Sequence, residues 1–74
     1  MHNNIEMIQV ASSNIESIGY DETEEIIKVK FLNGNEYIYM NVSNPTVFEE
    51  LVSAVSVGAY FNRNIKGVYP YEKI

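Results

Sequence analysis

Two stretches of this sequence carry residue types whose spacing suits ligand binding. The first is Lys28-x-Lys30 followed by Tyr37-x-Tyr39. A tyrosine ring offers a flat face on which a base can stack, and lysine supplies charge for phosphate. Ordinary cross-strand packing of the same tyrosines is the plainer reading. The second is Ser56-Val57-Gly58-Ala59-Tyr60-Phe61-Asn62-Arg63, with Lys66 beyond it. A helix beginning at Ser56 and Gly58 presents free backbone N–H groups to an anion. Arg63 and Lys66 are the nearest cations, and the forked guanidinium suits phosphate oxygens. Tyr60 and Asn62 complete the candidate contacts of this run. A simple N-cap explains Ser56 equally well.

Catalytic constellations are scarce. His2 is the single histidine and stands near a chain end, where no serine and carboxylate can be expected to hold it in a relay. Asp21, Glu22, Glu24 and Glu25 offer oxygen ligands but lack the loop spacing of a calcium hand, so a solvated turn is expected. Glu49 and Glu50 are helical neighbours that point apart. Neither GxxxxGK[ST] nor GxGxxG occurs. The expectation is a protein that binds without catalysing, with no cofactor and no metal.

Composition narrows the partners. The 74 residues carry 5 Lys+Arg against 10 Asp+Glu, a net charge of −5, which argues against a long-range basic field for duplex nucleic acid. Without cysteine there is no disulfide framework and no thiolate zinc site. At 46% hydrophobic the chain has the makings of a folded core. It holds no apolar run near the ~20 residues that span a bilayer, and no signal peptide opens it. A cytoplasmic protein of one domain, with its core from about residue 5 to 71, is expected.

The elements that must position these residues change character at mid-chain. Residues 5–10, 15–20, 26–31 and 36–40 read as strands, and 21–25 as an acidic turn. Asn33-Gly34 between two alternating segments signals a hairpin. A two-residue loop there pairs Val29 with Ile38 and Ile27 with Met40, leaving Lys30 opposite Tyr37 and Lys28 opposite Tyr39 on the other face. Asn44-Pro45 then starts a helix with an apolar stripe of Val47, Phe48, Leu51, Val52 and Val55. A second short helix runs from about 57 to 65, capped by Gly67, and the Pro70 segment is extended. The fold class is α+β: an antiparallel meander of three to four strands, then two short helices covering one face.

Taken together, Ser12-Ser13-Asn14-Ile15, Ile18-Gly19-Tyr20-Asp21, Phe31-x-Asn33-Gly34-x-x-Tyr37-x-Tyr39 and Ser56-x-Gly58-x-Tyr60-Phe61-Asn62-x-x-Ile65 resemble the KTSC domain family. The likeness runs from about Val10 to Tyr71. That domain closes some lysyl-tRNA synthetases and also occurs as small free-standing bacterial and phage proteins. The synthetase context implies RNA binding, and the phage occurrences imply an anti-defence role in which a host nucleotide signal is sequestered. Val57 and Ala59 stand where the family often carries basic residues, which leaves phosphate contacts to Arg63 and Lys66.

Two functions compete on these residues. One is a binding module for a nucleotide or short single-stranded RNA, stacking a base on Tyr37, Tyr39 or Tyr60. The other is a protein-interaction module or inhibitor whose acidic, tyrosine-rich surface captures a basic partner. A core this small also suggests a homodimer, with the segment from Val68 to Ile74 laid along a neighbouring sheet edge.

Overall fold

The computed structural model describes residues 5–74. Its elements are β1 (Met7–Gln9), β2 (Ile15–Asp21), β3 (Ile26–Phe31), β4 (Glu36–Tyr39), α1 (Pro45–Ser53), α2 (Val57–Asn64) and β5 (Tyr71–Lys73). The strands form one antiparallel sheet in the order β1-β2-β3-β4-β5. The α+β class holds, with one strand more than the sequence suggested. Among the described residues, no helix is long and apolar enough to cross a membrane. His2 lies outside the described residues.

Alternation along the strands decides which side chains meet the helices. Ile18 of β2, Ile27 and Val29 of β3 and Tyr39 of β4 join Leu51 of α1, and Val57 and Phe61 of α2, in one core. Asn44 caps α1 by accepting from the Thr46 N–H at 3.0 Å, and Pro45 occupies the first turn, where its missing N–H costs nothing. The helix stops at Ser53 because Ala54 is extended, so Val55 is fully exposed rather than continuing the apolar stripe.

The hairpin loop is one residue longer than expected. The Gly34 N–H donates to the Phe31 carbonyl at 3.0 Å, and the Phe31 N–H donates to the Asn35 carbonyl at 2.9 Å. Leu32, Asn33 and Gly34 therefore form the loop. Only Gly34 has positive φ, at 94°, whereas the expected type I′ turn needs it at Asn33 as well. This one-residue slip turns β4 over. Tyr39 now pairs with Ile27, Tyr37 with Val29, Ile38 with Lys28, and Glu36 with Lys30. The expected face of two lysines and two tyrosines does not form. The tyrosines face the helices, and the lysines occupy the opposite face, Lys28 against Glu36 at 3.2 Å and Lys30 against Glu16 at 3.7 Å.

Gly34→Val is expected to destabilise the domain by about 1–3 kcal/mol, since a β-branched residue resists this φ. An added Cβ meets nothing within 4 Å, so backbone strain alone carries the effect. Urea unfolding checks it, and unchanged stability would mean that the loop does not hold Gly34 left-handed.

The chain after α2 returns to the sheet. Gly67, at φ 81°, turns the chain, and the Met40 N–H donates to the Pro70 carbonyl at 2.8 Å. Tyr71–Lys73 thus pairs with β4 of its own chain.

Candidate functional site

The register that buries Tyr39 also builds a pocket. On the helix-facing side of the sheet, Tyr39 and Tyr71 are directly opposed across β4 and β5, and Tyr37 lies diagonal to Tyr71. Such pairs are close enough for rings to touch. Both tyrosine pairs have ring centroids 5.8 Å apart. Phe31, at the end of β3, meets Tyr37 edge-on at 5.7 Å, and Phe61 of α2 meets Tyr39 at 5.4 Å and Phe31 at 5.8 Å. Five aromatic side chains therefore line one cavity of about 310 Å³.

Its rim is polar in an unusual way. Asn14 comes from the turn before β2, Asn33 and Asn35 from the hairpin loop, and Asn62 and Lys66 from α2 and its exit. The lining contains four carboxamides, one ammonium and no carboxylate. In a chain with 10 Asp+Glu, that makes a local spot of positive charge on an acidic molecule. Lys66 has no ion-pair partner among the described residues.

Tyr39 is 4% exposed, yet its hydroxyl has no hydrogen-bond partner among the described residues. Burial first, then the neighbouring Tyr37 and Tyr71, push its pKa above the usual tyrosine value, so it stays a neutral O–H. A hydroxyl with no protein partner at the wall of a cavity is a ready contact for a ligand.

Of the residues singled out in the sequence, Tyr37, Tyr39, Asn62 and Lys66 meet at this pocket. Asn62 lies on α2 and Lys66 just past its end, while Arg63 is one step round the helix from Asn62 and does not line the cavity. Ser56 caps the start of α2, and Arg63 stands in its last turn. The Ser56 hydroxyl accepts from the Ala59 N–H at 3.3 Å, an N-cap. Gly58 faces the turn before β2, where a Cβ would stand 3.4 Å from Asn14 Oδ1, an ordinary van der Waals contact. The Tyr60 hydroxyl donates to Glu50 Oε1 at 2.8 Å, tying α2 to α1. That bond, then burial, then the Glu50 charge raise the Tyr60 pKa. Lys28 and Lys30 lie across the sheet, as described above.

Six lining residues were not foreseen: Asn14, Phe31, Asn33, Asn35, Phe61 and Tyr71. The sequence assigns Asn33 to the turn, and its side chain serves turn and pocket together. The acidic residues 21–25 form the expected turn, with Asp21 Oδ1 accepting from the Thr23 and Glu24 N–H groups at 2.9 and 3.2 Å.

Comparison with known proteins places this architecture among relatives. The sequence model of the KTSC domain matches residues 11–69. The solved structure of a KTSC domain protein from Yersinia pestis superposes with a TM-score of 0.87 at 35% identity, covering 95% of this chain and 97% of that one. A protein of Tsukamurella paurometabola is 42% identical over 60 residues, 81% of this chain and 88% of its own length. The lysine–tRNA ligase of Nostoc punctiforme is 31% identical over 68 residues, which are 92% of this chain but 12% of the ligase.

Proposed function

The chain belongs to the KTSC domain family, and on that footing we propose that its pocket binds a nucleotide, free or at the end of a short single-stranded RNA, without catalysing a reaction. The observation that carries this reading is the lining itself: five aromatic rings, four carboxamides and one lysine, with no carboxylate. Aromatic faces stack any base, amides hydrogen-bond its edge, and the ammonium holds the phosphate. The volume of about 310 Å³ suits one base with its sugar rather than a polymer. An acidic protein also meets a single phosphate more readily than a backbone of many. The tRNA ligase relative supports a ligand drawn from RNA chemistry. The same pocket on a phage-borne copy would sequester a host nucleotide signal. Such ligands are cytoplasmic, where a protein without cysteine has no disadvantage.

The test is calorimetric titration with the four ribonucleoside monophosphates. Lys66→Ala should weaken binding by about 1.5 kcal/mol, the low end for a charge-assisted bond at an exposed group. Arg63→Ala should leave affinity unchanged, because Arg63 is outside the lining. If the unaltered protein binds none of the four, the protein-interaction reading takes its place.

A further inference from the structure

Hydrogen bonds already made around the pocket restrict which base it can accept. The Ser12 hydroxyl oxygen accepts from the Asn14 and Ile15 N–H groups at 3.3 and 3.2 Å. Its remaining capacity here is its own proton, so the Asn14 side-chain atom 3.0 Å away is the amide oxygen. At Asn33 the logic is simpler. The Asn35 backbone N–H can only donate, so the atom 3.0 Å from it is the Asn33 oxygen. Each carboxamide oxygen is held on a local turn through one of its two lone pairs, whereas each NH₂ has no partner among the described residues, so the groups left wholly free for a ligand are the NH₂ donors. Lys66 adds an ammonium, which donates and never accepts. The fixed polar groups of the rim are therefore donors. Asn35, Asn62 and the Tyr39 hydroxyl make no side-chain hydrogen bond of this kind among the described residues and remain adaptable.

We propose that the pocket selects keto bases, guanine or uracil, over the amino bases adenine and cytosine. This rests on the nucleotide reading above and adds the ligand's base class. Guanine presents O6 and N7, and uracil O2 and O4, as acceptors for the fixed NH₂ groups. Adenine and cytosine turn an exocyclic amine toward those donors, so the bound base would cover an NH₂ group that it cannot pair. The ring N–H of a keto base finds the Tyr39 oxygen or an adaptable amide.

The experiment compares dissociation constants for GMP, UMP, AMP and CMP on the native chain and on Asn33→Asp. The variant keeps an oxygen for the Asn35 N–H and replaces the free NH₂ with a second oxygen, and an unchanged melting curve verifies its fold. The native protein should bind GMP and UMP at least about tenfold tighter than AMP and CMP. In Asn33→Asp that ratio should fall several-fold; the added charge repels all four phosphates alike and cancels in the ratio. Equal affinities for the four, or a ratio that Asn33→Asp leaves intact, would overturn keto selection while the nucleotide pocket stands. Failure of all four to bind would overturn both.

Discussion

Phe61→Ala should cost about 3–5 kcal/mol of folding stability, the usual loss for a buried phenylalanine. Phe61 is 2% exposed and joins α2 to the sheet through ring contacts with Phe31 and Tyr39 at 5.8 and 5.4 Å. Its removal leaves a cavity that neighbours cannot refill, since Ile65 and Leu51 beside it are already fully buried. Native domains are stable by only about 5–15 kcal/mol, and one this small sits toward the low end. Much of the variant population should then be unfolded in modest urea. Phe61→Leu, which keeps more of the volume, should lose clearly less. Urea unfolding followed by circular dichroism reads both, and a loss below 1 kcal/mol for the alanine variant would remove Phe61 from the core.

Tyr71→Ala should produce the largest loss of binding with the least loss of fold. Its ring forms one wall of the pocket, 5.8 Å from both Tyr37 and Tyr39, yet the residue is 62% exposed on an edge strand. Stacking of a base on such a ring is worth about 1–3 kcal/mol, or roughly 5- to 150-fold in affinity. Tyr39→Ala would reach the same pocket but would also open the core, so it cannot separate binding from folding. Titration of Tyr71→Ala beside its melting curve makes that separation. Unchanged affinity would mean that no base stacks against β5.

Much of the fold was legible because local chemistry and tertiary packing agree. Ile26–Phe31 is a strand in both sequence pattern and structure, and Asn44-Pro45 and Ser56 start the two helices as their types require. The hairpin failed by a single residue for an identifiable reason. Asn-Gly fits both a two-residue loop and a three-residue loop with glycine last, and only the longer one buries Tyr37 and Tyr39 against the helices. A slip of one residue in a strand exchanges its faces, so the small error in the loop became a large one in the site. Tyr71 was invisible for another reason: β5 pairs with β4 across two intervening helices, a long-range contact with no local signal. The asparagines were hidden by their own turn chemistry. Asparagine is what a turn favours, and nothing in a linear pattern shows that two turns and a helix face converge on one cavity.

The central claim, that this cavity is where a nucleotide binds, is met most directly by an NMR titration. With uniformly ¹⁵N-labelled protein and added GMP or UMP, the side-chain NH₂ signals of Asn14, Asn33, Asn35 and Asn62 can be followed alongside the backbone signals of Lys28, Lys30 and Ser56. The account predicts that the four amide pairs shift together and saturate at one ligand concentration, while Lys28, Lys30 and Ser56 stay in place. Shifts confined to the start of α2 or to the lysine face, or no saturable shift at any amide, would contradict it.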